Sequence, residues 1–220
     1  MKASESLRLI KEIKSIHLSI RQQIIDRLNE FHSIRMHGSD RELFQELVFC
    51  ILTPQSRARN AEKAIVKLCE NNLLYNGNFK EISEILTIVR FKNNKARYVL
   101  YAREKFSGTG GISLRDRINI SAGINDLRTW LVENIMGIGY KEASHYLRNI
   151  GYGEDIAILD RHVLRNMVSF GIIEKIPSSI NYLRYQNYES MLKNFSREID
   201  IPLSHLDFVL LYKEIGDIFK

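Results

Sequence analysis

The chain has 220 residues, 45% of them hydrophobic and 26% charged, which is enough for a folded core and too apolar for a disordered polymer. Lysine and arginine total 32 against 26 acidic residues, and the net charge of +6 favours a polyanionic partner through counterion release. No apolar run approaches the roughly 18 residues that span a bilayer, and Met1-Lys2-Ala3-Ser4-Glu5-Ser6 has no apolar signal core, so an intracellular protein with no membrane partner is expected.

Along the chain, apolar residues recur with a period near 3.6, and no alternation is long enough for a sheet, so the expected fold is all-α. Helices should break at His37-Gly38-Ser39-Asp40, Thr53-Pro54-Gln55-Ser56, Asn76-Gly77-Asn78, Ser107-Gly108-Thr109-Gly110-Gly111, Tyr152-Gly153-Glu154-Asp155 and Ile176-Pro177-Ser178-Ser179. The first wide apolar face is formed by Leu43, Phe44, Leu47, Val48, Ile51 and Leu52, and it runs into the Thr-Pro-Gln-Ser turn. Beyond that turn, Arg57, Arg59, Lys63 and Lys67 share helical faces suited either to phosphates or simply to solvation. Cys50 and Cys69 lie in apolar helical patterns and read as buried thiols. The six histidines show no ligand-like spacing, so neither a metal nor a cofactor is expected.

The densest signal is Ile135-Met136-Gly137-Ile138-Gly139-Tyr140-Lys141-Glu142-Ala143. Two glycines around one apolar residue permit the positive φ angles of a tight helix-to-helix turn. Gly137 and Gly139 are therefore candidate DNA-binding residues, since amides freed at the turn and the dipole of the next helix suit one phosphate. On that next helix Ala143, Leu147 and Ile150 form a core-facing stripe, and Lys141, His145 and Arg148 are expected on another face. Ordinary helical hairpins also carry such a pattern, but a second signal follows nineteen positions after the lysine, in Ile158-Leu159-Asp160-Arg161-His162-Val163-Leu164-Arg165. Asp160 precedes the stripe Val163, Leu164, Met167 and Val168, and is a natural N-cap for a helix running to about Phe170. A further apolar face comprises Tyr188, Met191, Leu192 and Phe195, and the last apolar run is Leu206-Asp207-Phe208-Val209-Leu210-Leu211-Tyr212.

Together the hairpin and the later aspartate resemble the helix-hairpin-helix DNA glycosylases, a superfamily that includes the endonuclease III and 8-oxoguanine glycosylases. Glu46 to Ser56 looks like that superfamily's early helix ending in a glutamine-bearing turn, and Val89-Arg90-Phe91-Lys92-Asn93-Asn94-Lys95-Ala96 looks like the start of a later helix of the same lobe. The length and a final Lys220 are most similar to the type-2 8-oxoguanine glycosylase/lyases. The four-cysteine iron–sulfur loop of many endonuclease III relatives is not matched, since this chain has two cysteines.

The resemblance implies a single glycosylase unit over residues 1–220 with two helical lobes. Residues 40–153 would form a central lobe carrying the hairpin at 135–150, residues 1–39 and 154–220 a second lobe, and the active-site cleft would lie between them. It further implies that Lys141 attacks the sugar and Asp160 stabilises the charge developing there, while Gln55 fills the space of an everted nucleotide. Lys220, with its carboxylate, and Asp207 would contact the damaged base, and Phe208, Tyr212 and Phe219 would stack on it or belong to the core. The implied partner is double-stranded DNA containing a damaged base, bound by a monomer. Two alternatives stay open: a glycosylase for oxidised pyrimidines or mispaired bases, and a noncatalytic hairpin protein that only clamps DNA.

Overall fold

The computed structural model describes residues 3–108, 110–119 and 123–220, so Met1 and Lys2 of the opening segment and Thr109 of the fourth expected break lie outside it. The first helix, α1 (Ala3–His37), is followed across Gly38 by α2 (Asp40–Leu52). That break is a reciprocal cap: the Glu42 amide donates to Ser39 Oγ at 3.3 Å and the Ser39 amide to the Glu42 carboxylate at 2.7 Å. The hydrogen bonds from Ser39 hold the Glu42 carboxyl below its ordinary value. Next come α3 (Ala58–Glu70), α4 (Leu73–Asn76), α5 (Phe79–Ile85) and, after a 3₁₀ turn, α6 (Lys92–Phe106). The helices α7 (Arg115–Asn119), α8 (Ile124–Asn134) and α9 (Tyr140–Leu147) lead into a π turn at Arg148–Tyr152. The chain continues through α10 (Arg161–Ser169), α11 (Tyr182–Glu198) and α12 (Leu203–Ile215).

The fold is all-α, as the periodicity predicts, with one small addition. Between α6 and α7, β1 (Ser107–Gly108) pairs antiparallel with β2 (Gly111–Ile112). Two-residue strands are too short to show an alternating pattern in sequence. Among the described residues no helix is long and apolar enough to cross a membrane.

The chain divides into two compact units, residues 33–150 and residues 1–32 with 151–220. In the first, α2 runs through the middle against α3, α6 and α9, with every residue of its expected apolar face buried. In the second, α10 and α11 pack on α12, whose Leu206, Phe208, Val209 and Leu210 are fully buried. The buried face of α11 is rotated from the expected one: Tyr188 and Met191 are half-buried, and Tyr185 is in the core with Leu192 and Phe195. Along the part of α1 in this unit, His17 shares the buried stripe Ile13, Ile20 and Ile24 and meets His205 of α12 ring nitrogen to ring nitrogen at 2.9 Å. Burial lowers both imidazoles, His205 to about 4, so the pair is neutral near pH 7.

Candidate active site

The hairpin joins α8 to α9, with Ile135 and Ile138 buried beneath it. Gly137 has φ +85, and a Cβ there would come within 2.4 Å of the Tyr98 ring of α6. Both the backbone and the close approach therefore require glycine. Gly139 corrects the sequence reading, because its φ of −103 is an extended N-cap conformation open to other residues. Only one of the two glycines adopts the left-handed turn. The Gly139 amide, expected to be free for an anion, donates to Glu142 Oε2 at 3.2 Å. Behind the turn, Arg128 of α8 is 1% exposed and donates to Ser144 Oγ of α9 at 3.1 Å, fastening the two helices together.

Lys141 is the second residue of α9. Its side chain is 27% exposed, and Nζ lies 3.7 Å from Glu142 Oε1. His145 and Arg148 do not share this exposure: both are buried, a correction to the expected face, because α9 is covered by α2 as well as by α8. The His145 ring meets Phe49 of α2 edge to face at 5.6 Å. Nearby, Asn149 donates to the buried Glu46 carboxylate at 2.9 Å. The Cys50 thiol, one turn beyond Glu46, is pushed well up by burial and then by that carboxylate, against an opposite pull from Lys141. It is therefore a packed thiol and no rival nucleophile. Cys69, expected to be buried, is half-buried on α3.

The Thr53-to-Ser56 turn closes with the Ser56 amide donating to the Thr53 carbonyl at 2.9 Å. Its third residue, Gln55, is exposed and has φ +55, a left-handed conformation that costs a side-chain-bearing residue about 1–2 kcal/mol. Sequence reasoning missed the group underneath. Lys95 of α6 is 3% exposed, and its Nζ donates to the carbonyls of Leu52 (2.7 Å) and Pro54 (2.8 Å) and to Ser56 Oγ (2.9 Å). Burial pushes this ammonium down to about 8, against an upward pull from the Glu142 carboxylate. The available signal was its place in line with Val99, Ala102 and Phe106, a lysine in an otherwise apolar stripe. Arg57, Arg59, Lys63 and Lys67 are all exposed at the start of α3 and along it.

In the other unit, Asp160 is the N-cap of α10, accepting the Val163 amide at Oδ1 (2.8 Å), and it is half-buried. The extended segment before it, Ile156 to Leu159, is buried and pinned by α11. The Tyr185 hydroxyl donates to the Ala157 carbonyl (2.7 Å) and accepts the Leu159 amide (3.2 Å), while Glu189 accepts the Ala157 amide (2.8 Å). The backbone leading into the aspartate is thereby fixed. Asp207 is half-buried on α12, next to the fully buried Phe208, and Lys220 is half-buried beyond Gly216, where α12 ends at φ +69.

Gly137, Gly139, Lys141 and Gln55 thus belong to one unit, and Asp160, Asp207 and Lys220 to the other. A left-handed glycine turn between two helices, followed at once by an amine in the first turn of the second, defines a helix-hairpin-helix protein. The sequence profile of the 8-oxoguanine DNA glycosylase family matches residues 24–201. The 8-oxoguanine DNA glycosylase/AP lyase of Fusobacterium nucleatum is 44% identical over 209 residues, covering 95% of this chain and 96% of that protein. That of Methanocaldococcus jannaschii is 35% identical, covering 97% of this chain and 100% of its own. The crystal structure of the Thermotoga maritima 8-oxoguanine DNA glycosylase superposes with a TM-score of 0.87 at 30% identity, covering 98% of this chain and 100% of that one. The Methanocaldococcus jannaschii enzyme in complex with a 15-mer DNA containing 8-oxoguanine gives 0.86 at 33% identity, covering 97% and 100%. The chain belongs to the 8-oxoguanine DNA glycosylase family.

Proposed function

We propose that this protein excises 8-oxoguanine from double-stranded DNA and then cuts the strand at the resulting abasic site. The observation that carries the reading is the amine of Lys141 in the first turn after the Gly137 hairpin, in a chain belonging to a family whose relatives are named glycosylase/AP lyase. The hairpin holds a DNA phosphate beside the lesion, the phosphate taking the place of the Glu142 carboxylate at the Gly139 amide, and Gln55 fills the stack where the nucleotide has left.

The Lys141 amine, as free base, attacks C1′ of the everted nucleotide, and the bond from C1′ to N9 breaks with its electron pair leaving on the base, which takes up a proton. Positive charge grows on the sugar as that bond lengthens, and the carboxylate of Asp160 stabilises it. The nitrogen then gives up a proton, the bond from C1′ to the ring oxygen O4′ opens with that oxygen taking up a proton, and the lysine is left joined to C1′ as a protonated imine. Loss of a C2′ proton expels the 3′ phosphate by β-elimination, and water hydrolyses the imine to free the lysine. Selectivity rests on the N7–H that 8-oxoguanine has and guanine lacks. Asp207 and Lys220 are the proposed contacts to the base, and an acceptor there leaves guanine with an unmet partner.

The test is incision of otherwise identical duplexes carrying 8-oxoguanine, an oxidised pyrimidine, a uracil mispair or no lesion. The reading expects the 8-oxoguanine duplex to be cut fastest and the undamaged duplex not at all. Preference for the oxidised pyrimidine would move the protein to another substrate class, and no incision of any duplex would leave only a DNA clamp.

A further inference from the structure

We infer that Lys95 is a positioning residue for base eversion, holding the Thr53-to-Ser56 turn in the one form that presents Gln55 to the DNA stack; the inference rests on the wedge role proposed for Gln55. Two turn forms are open to such a four-residue segment, and they differ by a flip of the central peptide, here the one between Pro54 and Gln55. In one form the third residue has negative φ, which suits glutamine. In the other it has positive φ, which suits glycine or asparagine and disfavours glutamine. The structure has the second form, with Gln55 at φ +55.

The carbonyl of the central peptide is that of Pro54, and it accepts a hydrogen bond from Lys95 Nζ at 2.8 Å. Flipping the peptide would turn this oxygen away from the ammonium. The other two donors of the same ammonium are fixed to Leu52 O at the end of α2 and to Ser56 Oγ at the end of the turn, so Nζ cannot follow. Ser56 Oγ in turn accepts the Arg90 amide at 2.9 Å, which anchors the assembly to the segment leading into α6. A buried cation at the C-terminal end of α2 is also favourably placed against the carbonyl end of that helix. Its ionisation midpoint, at about 8, leaves it mainly charged at neutral pH with all three donors available. All three acceptors of the ammonium belong to the end of α2 or to the turn, and the side chain that the turn presents, Gln55, is exposed.

The experiment is a double-mutant cycle on the full chain with Lys95→Met, Gln55→Ala and the pair, reading single-turnover excision and the fluorescence of 2-aminopurine placed beside the 8-oxoguanine. Each duplex is compared with the same lesion in an unpaired bubble, where neighbouring bases need no opening. We expect each single variant to slow excision from the duplex about tenfold and to reduce the fluorescence rise, with the double variant no slower than Gln55→Ala. In the bubble Lys95→Met should match the parent within about twofold. Ser56→Ala, which removes one acceptor and spares the lysine, should give a smaller duplex-only loss that also disappears in the Gln55→Ala background, and it carries the test if Lys95→Met does not fold. Additive losses, an unchanged Lys95→Met, or equal loss in duplex and bubble would overturn the role of Lys95 while leaving the wedge in place. An unchanged Gln55→Ala would remove the wedge reading itself, and the inference with it.

Discussion

At the scale of single residues, substitution can separate the cap that Asp160 forms from the electrostatic role proposed for it. Its carboxylate caps α10 through the Val163 amide, and asparagine caps nearly as well. Asp160→Asn should therefore melt within a few degrees of the parent protein, yet excise 8-oxoguanine at least about a hundredfold more slowly, because the charge that meets the developing sugar cation is gone. Asp160→Ala should add a loss of about 1 kcal/mol in stability, from the uncapped amide. Thermal melts and single-turnover rates measured on both variants check this, and an Asp160→Asn protein with parental excision would confine the residue to capping. The cap itself was legible in the sequence from the spacing of Val163, Leu164 and Met167. The clamp that aims it was not, since Tyr185 and Glu189 reach the segment from 28 and 32 residues away and no local pattern records such pairs.

At the scale of elements, α6 supports both features proposed to meet DNA: Lys95 lies under the Gln55 turn and Tyr98 under Gly137. Gly137→Ala should damage the hairpin severely, through a forbidden approach of 2.4 Å to the Tyr98 ring and a strained φ of +85. Gly139→Ala meets only a Glu142 oxygen at 3.3 Å in an allowed conformation, so its affinity for undamaged duplex should fall far less. Titration of both variants with a labelled duplex checks the contrast, and equal losses would contradict it.

The pairing of α1 with α12 through His17 and His205 makes a second prediction at this scale. Both imidazoles titrate below their ordinary 6.5 in the folded chain, His205 at about 4, so they bind protons more readily when unfolded. Their contribution to stability is thus complete above 6.5 and is lost as pH falls through about 4. Arg21 adds to the downward pull on both, and Asp200 opposes it on His17. Denaturant unfolding between pH 7 and 4.5 should show this loss in the parent and a flatter profile in His205→Gln; identical profiles would contradict it.

At the scale of the whole molecule, the net charge of +6 and the exposed Arg57, Arg59, Lys63 and Lys67 predict that affinity for undamaged duplex falls roughly tenfold or more between low and physiological salt. Removing Lys63 and Lys67 should lower the logarithmic salt slope by up to about 0.9 for each phosphate no longer neutralised, and an unchanged slope would place the phosphate-binding cations elsewhere. Helix positions, breaks and the hairpin could be read from sequence because they are written in local spacing, as in Leu43, Phe44, Leu47 and Val48. What escaped was burial against other elements. Arg128, His145 and Arg148 look like solvated charges in the sequence, and only the packing of α2, α8 and α9 covers them, whereas Lys95 stood in the apolar stripe of α6 with its partners out of local reach. The left-handed Gln55 escaped for a related reason, because the cation that favours it lies 40 residues further along the chain. In the proposed mechanism Lys141 forms the covalent bond to the sugar. Borohydride reduction during reaction with an 8-oxoguanine duplex tests it most directly: the parent protein should be trapped on DNA, and Lys141→Gln should bind the duplex without trapping. A trapped adduct of undiminished yield in Lys141→Gln, or none in the parent, would contradict the account.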